Sequence, residues 1–276
     1  MDVDPTYDYV NRYDVAMFPV EENDINGEGE SLKLNMNREP RFYAWIAFHN
    51  GYYEVSGEDD RKEFSYAPIW KRGKDKKYKQ LVQFMKTQNM GITNDNKYGT
   101  KTGYLNKKGA HPGTSASKST GFKVIQYPWP MVRLAELYLN YAEALNESDP
   151  DNPDILTYLN LIRERAGIPQ YGNGQGMIPA PGTQEEMRDI IRRERRVELC
   201  CETEIRHNDI RRWMIGEKTL NTKFYGMNRQ ATTTQDFYKR SSYQNRVFDK
   251  KFYWFPIPQG DMDNNPNLVQ SPGWDK

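Results

Sequence analysis

The sequence is poor in cysteine and in net charge, and each shortage removes a class of protein. The two cysteines, Cys200 and Cys201, are adjacent. Neighbouring Cα atoms lie about 3.8 Å apart, which is shorter than the usual span of a disulfide, so we expect no structural disulfide. Lys and Arg number 39 against 38 Asp and Glu, a formal net charge of +1. The basic excess that marks a nucleic-acid or anionic-membrane binding protein is missing.

Long apolar runs are also missing from the sequence. No stretch approaches the roughly 20 residues that a membrane-spanning helix needs. The first residues, Met1 to Pro5, are polar and do not form a signal peptide. We expect either a cytosolic protein or a targeting segment that lies outside this sequence.

Histidine is scarce as well, and its positions do not indicate a catalytic or zinc site. His49, His111 and His207 are too far apart for the paired spacing of zinc ligands. No histidine lies near a serine or cysteine as a base for a nucleophile. Two acidic stretches, 24–28 and 261–265, lack the final glutamate of a calcium loop. The sequence therefore predicts no enzyme and no cofactor, with structural calcium left as an unsupported option.

Aromatic residues, in contrast, are abundant in a chain that is otherwise polar. Phe, Trp and Tyr make up 13% of the residues, and the mean hydropathy is −0.95. Tyr and Trp combine an apolar ring with a polar group. We therefore expect some of these rings to lie on the surface. Gly and Pro separate a loop-rich region with short strands (1–126) from a helical core (127–216) and a C-terminal segment (217–276).

The first region contains one continuous apolar run, from Phe42 to Phe48. It is bounded by Pro40 and by the turn-forming Asn50-Gly51, and it is rich in residues that favour strands. The run predicts a β-strand buried on both faces. The lysine-rich stretch 72–79 is interpreted as a solvated loop.

The helical core begins with a helix over about 131–147. Its predicted apolar stripe repeats at steps of four, three and four and consists of Leu134, Tyr138, Tyr141 and Leu145. Asn152 as N-cap and Pro153 at the first position predict a second helix, which Gly167 ends. The short turn predicts that the two helices pack antiparallel.

Thr183 and Glu186 form the sequence pattern of a capping box and predict the start of a third helix. Glu194 falls within its apolar side. We interpret Glu194 as a buried carboxylate paired with Arg133 or Arg163, and a catalytic carboxylate remains the alternative. The alternating Arg and Glu residues of this helix indicate a salt-bridge lattice between helices.

Four stretches, taken together, resemble the SusD/RagB family of surface glycan-binding lipoproteins. Residues 133–147 with 159–169 resemble the family's last tetratricopeptide-like helix pair, and 194–213 its following helix. Residues 252–274, with Phe-Pro-Ile-Pro and Asn-Pro-Asn-Leu, resemble its C-terminal signature, and 38–46 an Asp-Pro-Arg-Phe strand. The resemblance implies a mainly α SusD-like fold, with a tetratricopeptide-like helix pair, further helices, long loops and a few short β-strands.

The match departs from the family pattern at two points. Residues 203–205 stand where many members have a glycine-containing turn. Family members are also almost twice as long, so the resemblance covers only their C-terminal half and lacks their N-terminal helical repeats and lipid-anchored cysteine. The whole sequence then corresponds to one SusD-like domain without its N-terminal half.

The resemblance implies non-catalytic binding of an oligosaccharide or polysaccharide at the outer face of the outer membrane. It also implies a SusC-like TonB-dependent transporter as partner, a role in nutrient uptake, and a lipid anchor in the full-length protein. Stacked rings with polar neighbours bind sugars in this family. The residues that we select for this are Trp45, Tyr52, Tyr53, Tyr66 and Trp70, with Asn50, Asp59 and Arg61.

Several of the aromatic residues have a structural interpretation instead. Trp45 fits the core better than a sugar site, and Trp70 fits both equally. Trp213, Trp254 and Trp274 are assigned to packing, as are the helix residues Tyr138 and Tyr141. The working hypothesis is a neutral glycan bound by region 45–80.

Two other functions compete with sugar binding. Tetratricopeptide-like helix pairs often bind proteins, so the chain could be a scaffold that contacts the transporter only. A glycoside hydrolase would need two acids about 5 to 10 Å apart across a cleft, and the sequence contains no pattern that places them.

Overall fold

The computed structural model describes residues 10–18, 26–55, 70–72, 78–86, 88, 100–111, 114–117, 121–126, 128, 130–202 and 204–274. For strand residues 54–55, 70–72, 78–80, 115–117 and 121–123 only the backbone is described. The chain divides into two compact units. Unit 1 comprises Met1–Cys201 and Met227–Arg240, and unit 2 comprises Glu202–Gly226 and Ser241–Lys276.

The described elements are mostly helices, with short strands between them. The helices are α1 (Pro40–Trp45), α2 (Leu134–Ser148), α3 (Asp154–Arg165), α4 (Gln184–Glu198), α5 (Ile205–Arg212), α6 (Gly216–Leu220), α7 (Thr234–Phe237) and α8 (Gln259–Asn264). The strands are β1 (Val15–Met17), β2 (Glu30–Leu32), β3 (Ile46–Phe48), β4 (Tyr52–Val55), β5 (Trp70–Arg72), β6 (Tyr78–Leu81), β7 (Tyr104–Asn106), β8 (Ser115–Ser117), β9 (Gly121–Lys123), β10 (Lys223–Gly226) and β11 (Ser241–Asn245). This mainly α architecture confirms the predicted fold class.

The strands of unit 1 pair antiparallel in small separate sheets. The pairs are β1–β2, β3–β7 and β8–β9, and β4, β6 and β5 form one three-stranded sheet in that order. Beside them lies an apolar cluster of Leu32, Ala47, Val82, Phe84, Met227, Ala231, Phe237 and Tyr238. Since β2 and β3 contribute buried residues to this cluster, the short strands border a core rather than stand alone.

Helices α2 and α3 form the predicted antiparallel pair. The Tyr141 hydroxyl lies 3.4 Å from Asp154 Oδ2, and the rings of Tyr138 and Tyr158 are 5.0 Å apart. The Asp154 N–H donates to Asn152 Oδ1 over 3.0 Å. Gly167 has φ +67°, a left-handed conformation that ends a helix at little cost for glycine.

The predicted apolar stripe of α2 is wrong in phase by one residue. The residues that are buried are Ala135, Leu139, Ala142 and Asn146, again at steps of four, three and four. Leu134 is 60% exposed and Tyr141 43% exposed, so Tyr141 is not a core residue. Both stripes have helical spacing, and periodicity alone cannot choose between neighbouring faces. The choice is made by α3 and α4, which pack on one side only.

The apolar run 42–48 does not form one buried strand. Pro40 begins helix α1, and only Ile46–Phe48 is a strand, paired with Tyr104–Asn106. Proline at the first helical position needs no N–H and already has a helical φ. Ala44 is exposed, so the run is not buried on both faces.

Unit 2 is organised around Tyr253, which is buried. Its carbonyl accepts two hydrogen bonds from the Arg211 guanidinium, and its hydroxyl accepts one from the Gly216 N–H at 2.8 Å. Trp274 packs as predicted, with its ring 5.5 Å from Phe252. Trp254 is 41% exposed, so its assignment to packing is wrong, because it follows Tyr253 in extended backbone that turns it outward.

None of the helices described is both long and apolar enough to cross a membrane. The longest ones, α2 and α4, have 15 residues each, and both carry several charged side chains.

Candidate glycan-binding surface

The three-stranded sheet brings two of the predicted sugar-binding residues into one row. Tyr53 of β4 is the register partner of Gln80 in β6, and Gln80 is the partner of Trp70 in β5. Neighbouring strands lie about 4.8 Å apart, so the Cα atoms of Tyr53 and Trp70 are separated by roughly 10 Å. The row Tyr53–Gln80–Trp70 is the aromatic row of the sheet.

The sheet also separates two residues that the sequence had grouped together. Successive residues of a strand point to opposite faces, and directly paired residues share a face. Tyr52 is paired with Leu81, on the face opposite to Tyr53. A sugar stacked on the aromatic row would therefore not touch the ring of Tyr52.

Tyr53 lies at the border of the apolar cluster of unit 1. Its side chain is half-buried and packs against that cluster, and burial raises the pKa of its phenol. The Lys107 ammonium lies 5.7 Å from the ring centroid. Lys107 Nζ also donates to the carbonyls of Tyr43 and Tyr52, which fixes the start of β4 beside the end of α1.

Tyr52 and Asn50 make contacts within the loop that precedes β4. The Tyr52 hydroxyl donates to Glu28 Oε2 over 2.8 Å. Asn50 has φ +64°, and its Nδ2 donates to the carbonyl of Glu30 over 2.7 Å. Asn tolerates this left-handed conformation better than most residues. The Asn50 amide nitrogen therefore stabilises a turn.

Trp45 is half-buried at the end of α1. Lys108 Nζ lies 3.9 Å from its ring centroid and donates to the carbonyls of Glu198 and Cys200. A cation over a ring face is a favourable contact, and it covers that face of the indole. The contact supports the structural interpretation of Trp45 over the sugar-binding one.

Tyr66, Asp59 and Arg61 lie outside the described residues, and Trp70 is described by its backbone only. The predicted glycan-binding set thus stays a prediction. The sequence reasoning missed Lys107 and Gln80 as neighbours of the aromatic row, because neither has an aromatic or periodic signal. Their positions follow from strand pairing.

Glu194 is the carboxylate for which a catalytic role was the alternative. It is 4% exposed, and its oxygens accept from Arg41 Nη1 at 2.5 Å and from Arg163 Nη1 at 3.0 Å. The predicted pairing with Arg163 is confirmed. Arg133 pairs instead with Glu198, over 3.0 Å.

Glu198, one turn later on α4, extends this cluster of buried charges. It is fully buried and also accepts from Arg41 at 3.0 Å and from Arg165 at 2.6 Å. Burial lowers the pKa of Arg41, but Glu194 and Glu39 outweigh it and raise the pKa above its ordinary value. A carboxylate held by two guanidinium groups has no role as a proton acceptor, so the cluster is structural.

Metal ligands do not gather in the part of the chain that the structure describes. No group of three or more His, Cys, Asp or Glu side chains lies close enough there to hold an ion. Residues 261–264 belong to helix α8, where the sequence left a calcium loop open. Residues 24 and 25 of the other acidic stretch lie outside the described residues.

A family model described as the SusD family matches residues 1–274. A curated relative, SusD-like protein P2 of Formosa agariphila, is 30% identical over 145 residues, which is 52% of this chain and 25% of that protein.

Solved structures are similar over almost the whole chain. The protein BT4246 matches with a TM-score of 0.76 and 28% identity, covering 98% of this chain and 42% of its own. A SusD-like carbohydrate-binding protein of Bacteroides fragilis, BF0978, matches with a TM-score of 0.55 and 26% identity, over 86% of this chain and 42% of its own. The chain thus spans less than half the length of these relatives.

Proposed function

Since the chain belongs to the SusD family, we propose that it binds an oligosaccharide or polysaccharide without cleaving it. The binding surface is the three-stranded sheet β4–β6–β5, with Tyr53 and Trp70 as the aromatic residues. The similar structure BF0978 carries the description of a carbohydrate-binding protein, which supports this substrate class.

The aromatic row is the single observation that carries the proposal. Two aromatic residues flank an amide residue, Gln80, at one register position. Sugar rings present apolar faces edged by hydroxyls, which such a row can match with stacking and hydrogen bonds. Each stacked ring contributes on the order of 1 kcal/mol, so a few contacts give millimolar to micromolar affinity, roughly 4 to 8 kcal/mol.

The destination of the bound glycan extends the proposal. By the resemblance to its family, the full-length protein would be lipid-anchored at the outer surface of the outer membrane. It would deliver the glycan to a SusC-like TonB-dependent transporter as a step of nutrient uptake. Binding without catalysis fits this role, because a delivered oligosaccharide must reach the transporter intact.

A protein–protein scaffold is the second candidate function. Leu134, Leu137, Tyr141 and Leu161 of α2 and α3 are each more than 40% exposed. Contiguous apolar surface of this kind is typical of protein interfaces. In this alternative the helix pair contacts the transporter, and the sheet binds no sugar.

Affinity electrophoresis of the 276-residue chain against a panel of polysaccharides distinguishes the two functions. We expect one polymer to retard the chain and the substitution Trp70→Ala to abolish the retardation. Trp254→Ala is the matched control, because it removes an exposed tryptophan of unit 2. Retardation by no polymer would refute sugar binding and favour the scaffold, and equal loss in both variants would refute the site.

A further inference from the structure

The face of the sheet that contains the aromatic row is free of carboxylates among its described residues. By strand alternation that face holds Tyr53 and Val55 of β4, Gln80 and Tyr78 of β6, and Trp70 and Arg72 of β5. Arg72 is the register partner of Tyr78 and follows Trp70 by two positions. The edge strand β5 therefore places a guanidinium residue on the same face as Trp70.

A second cation lies at the other end of this face. Lys107 Nζ is 5.7 Å from the ring centroid of Tyr53. Its hydrogen bonds to the carbonyls of Tyr43 and Tyr52 hold it there. Arg72 and Lys107 thus flank the aromatic row from two sides, and neither ion pairs with an acid of that face, since the described residues there include none.

The opposite face of the sheet has a different charge pattern. It holds Glu54, Lys79 and Lys71 in one row, each the register partner of the next. A carboxylate beside Lys79 offsets part of the charge of that row. The unbalanced positive charge next to aromatic residues therefore belongs to the face of Tyr53 and Trp70.

We propose that the glycan bound by the aromatic row is anionic, carrying uronate or sulfate groups, and that Arg72 and Lys107 bind those groups. This inference rests on the proposed function and replaces the neutral glycan that the balanced charge of the whole sequence suggests. Arg presents a planar fork of donors that matches carboxylate and sulfate oxygens. Aromatic rings bind the apolar faces of the same sugars.

Titration calorimetry of the 276-residue chain against matched polymers tests the ligand class. Polygalacturonate is compared with its fully methyl-esterified form, and a sulfated galactan with its desulfated form. Each pair keeps the sugar backbone and removes the charge, and the two pairs distinguish uronate from sulfate. We expect at least one charged polymer to bind roughly tenfold more tightly than its uncharged partner, the ratio that one charge-assisted hydrogen bond supplies.

The position of the anion site is tested by two substitutions that remove one positive charge each. Arg72→Gln changes the aromatic face and Lys71→Gln the opposite face. We expect Arg72→Gln to weaken the charged polymer roughly tenfold and Lys71→Gln by less than about twofold. Arg72→Lys keeps the charge and is expected to retain most of the affinity.

Three outcomes overturn the inference. Equal weakening by Arg72→Gln and Lys71→Gln would show that only net charge matters. Tighter binding of the uncharged polymers would leave the proposed function standing and refute the anionic ligand. Binding of no polymer at all would refute the proposed function itself, and the inference with it.

Discussion

At the scale of single residues, His49 has the environment of a permanently neutral imidazole. It is 1% exposed, its Nδ1 accepts a hydrogen bond from the Phe84 N–H at 3.0 Å, and its Nε2 has no hydrogen-bond partner. Burial lowers the pKa of His49 to about 4. The rings of Phe237 and Tyr238 lie beside it. A proton on Nδ1 would point at another N–H.

We predict that acid destabilises the protein through His49. The unfolded chain has a histidine pKa of about 6.5, above the folded value, so the unfolded state binds the proton first. Stability is complete above pH 6.5 and falls as the pH decreases towards 4, by up to roughly 3 kcal/mol. Urea unfolding at a series of pH values measures this slope.

His49→Asn is the control, because the Asn Oδ1 can accept from Phe84 in place of Nδ1 and does not titrate. The variant should be less stable at neutral pH and show a flatter slope between pH 6.5 and 4. An unchanged slope in the variant would assign the acid sensitivity to other groups.

Glu194 allows a second prediction at this scale. Glu194→Gln leaves Arg41 and Arg163 buried without a carboxylate between them, and breaking a buried ion pair in this way costs about 3 to 5 kcal/mol. Glu147→Gln breaks an exposed pair with Arg188, 2.6 Å apart, and should cost less than about 1 kcal/mol. Chemical unfolding of both variants measures the difference. Similar small losses would contradict the structural role of Glu194.

At the scale of elements, the local signals were read correctly and the orientation of α2 was not. The capping box of α4 is present as predicted: the Glu186 N–H donates to Thr183 Oγ1 over 3.2 Å. The box involves residues only three positions apart, so its geometry follows from the local backbone. The buried face of α2 depends instead on distant residues of α3 and α4.

The phase of α2 gives a prediction with a matched pair of leucines. Leu139 is fully buried and Leu137 is 52% exposed. Leu139→Ala should lower the free energy of unfolding by about 2 to 5 kcal/mol, because it opens a cavity, and Leu137→Ala by less than about 0.5 kcal/mol. Thermal and urea unfolding compare the two. A costly Leu137→Ala in the isolated chain would place the buried stripe on the other face.

Helix α1 shows why the apolar run 42–48 could not be assigned from its composition. The β-favouring residues predicted a strand, but Pro40 starts a helix whose Arg41 reaches Glu194 and Glu198. The two ends of the Arg41–Glu194 contact are 153 residues apart in the chain. An ion pair at that separation overrides a weak local propensity, and no pattern in the sequence announces it.

At the scale of the whole molecule, the near-zero net charge conceals an uneven distribution. The sum of +1 excluded a broadly basic surface, and that conclusion concerns the average only. Strand pairing gathers Arg72 and Lys107 around one aromatic row and places Glu54 on the opposite face. The charge that a ligand meets is therefore set by the register of three short strands.

The sequence by itself determined the family, the helix pair, the capping box and the aromatic richness, because each depends on neighbouring residues or on a linear order of motifs. Tertiary structure decided which face of α2 is buried, which arginines meet Glu194, and which aromatic residues share a surface. These depend on contacts between residues far apart in the chain. Tyr52 and Tyr53 are adjacent in sequence and lie on opposite faces of the sheet, whereas Tyr53 and Trp70 are brought into one row by β6 between them.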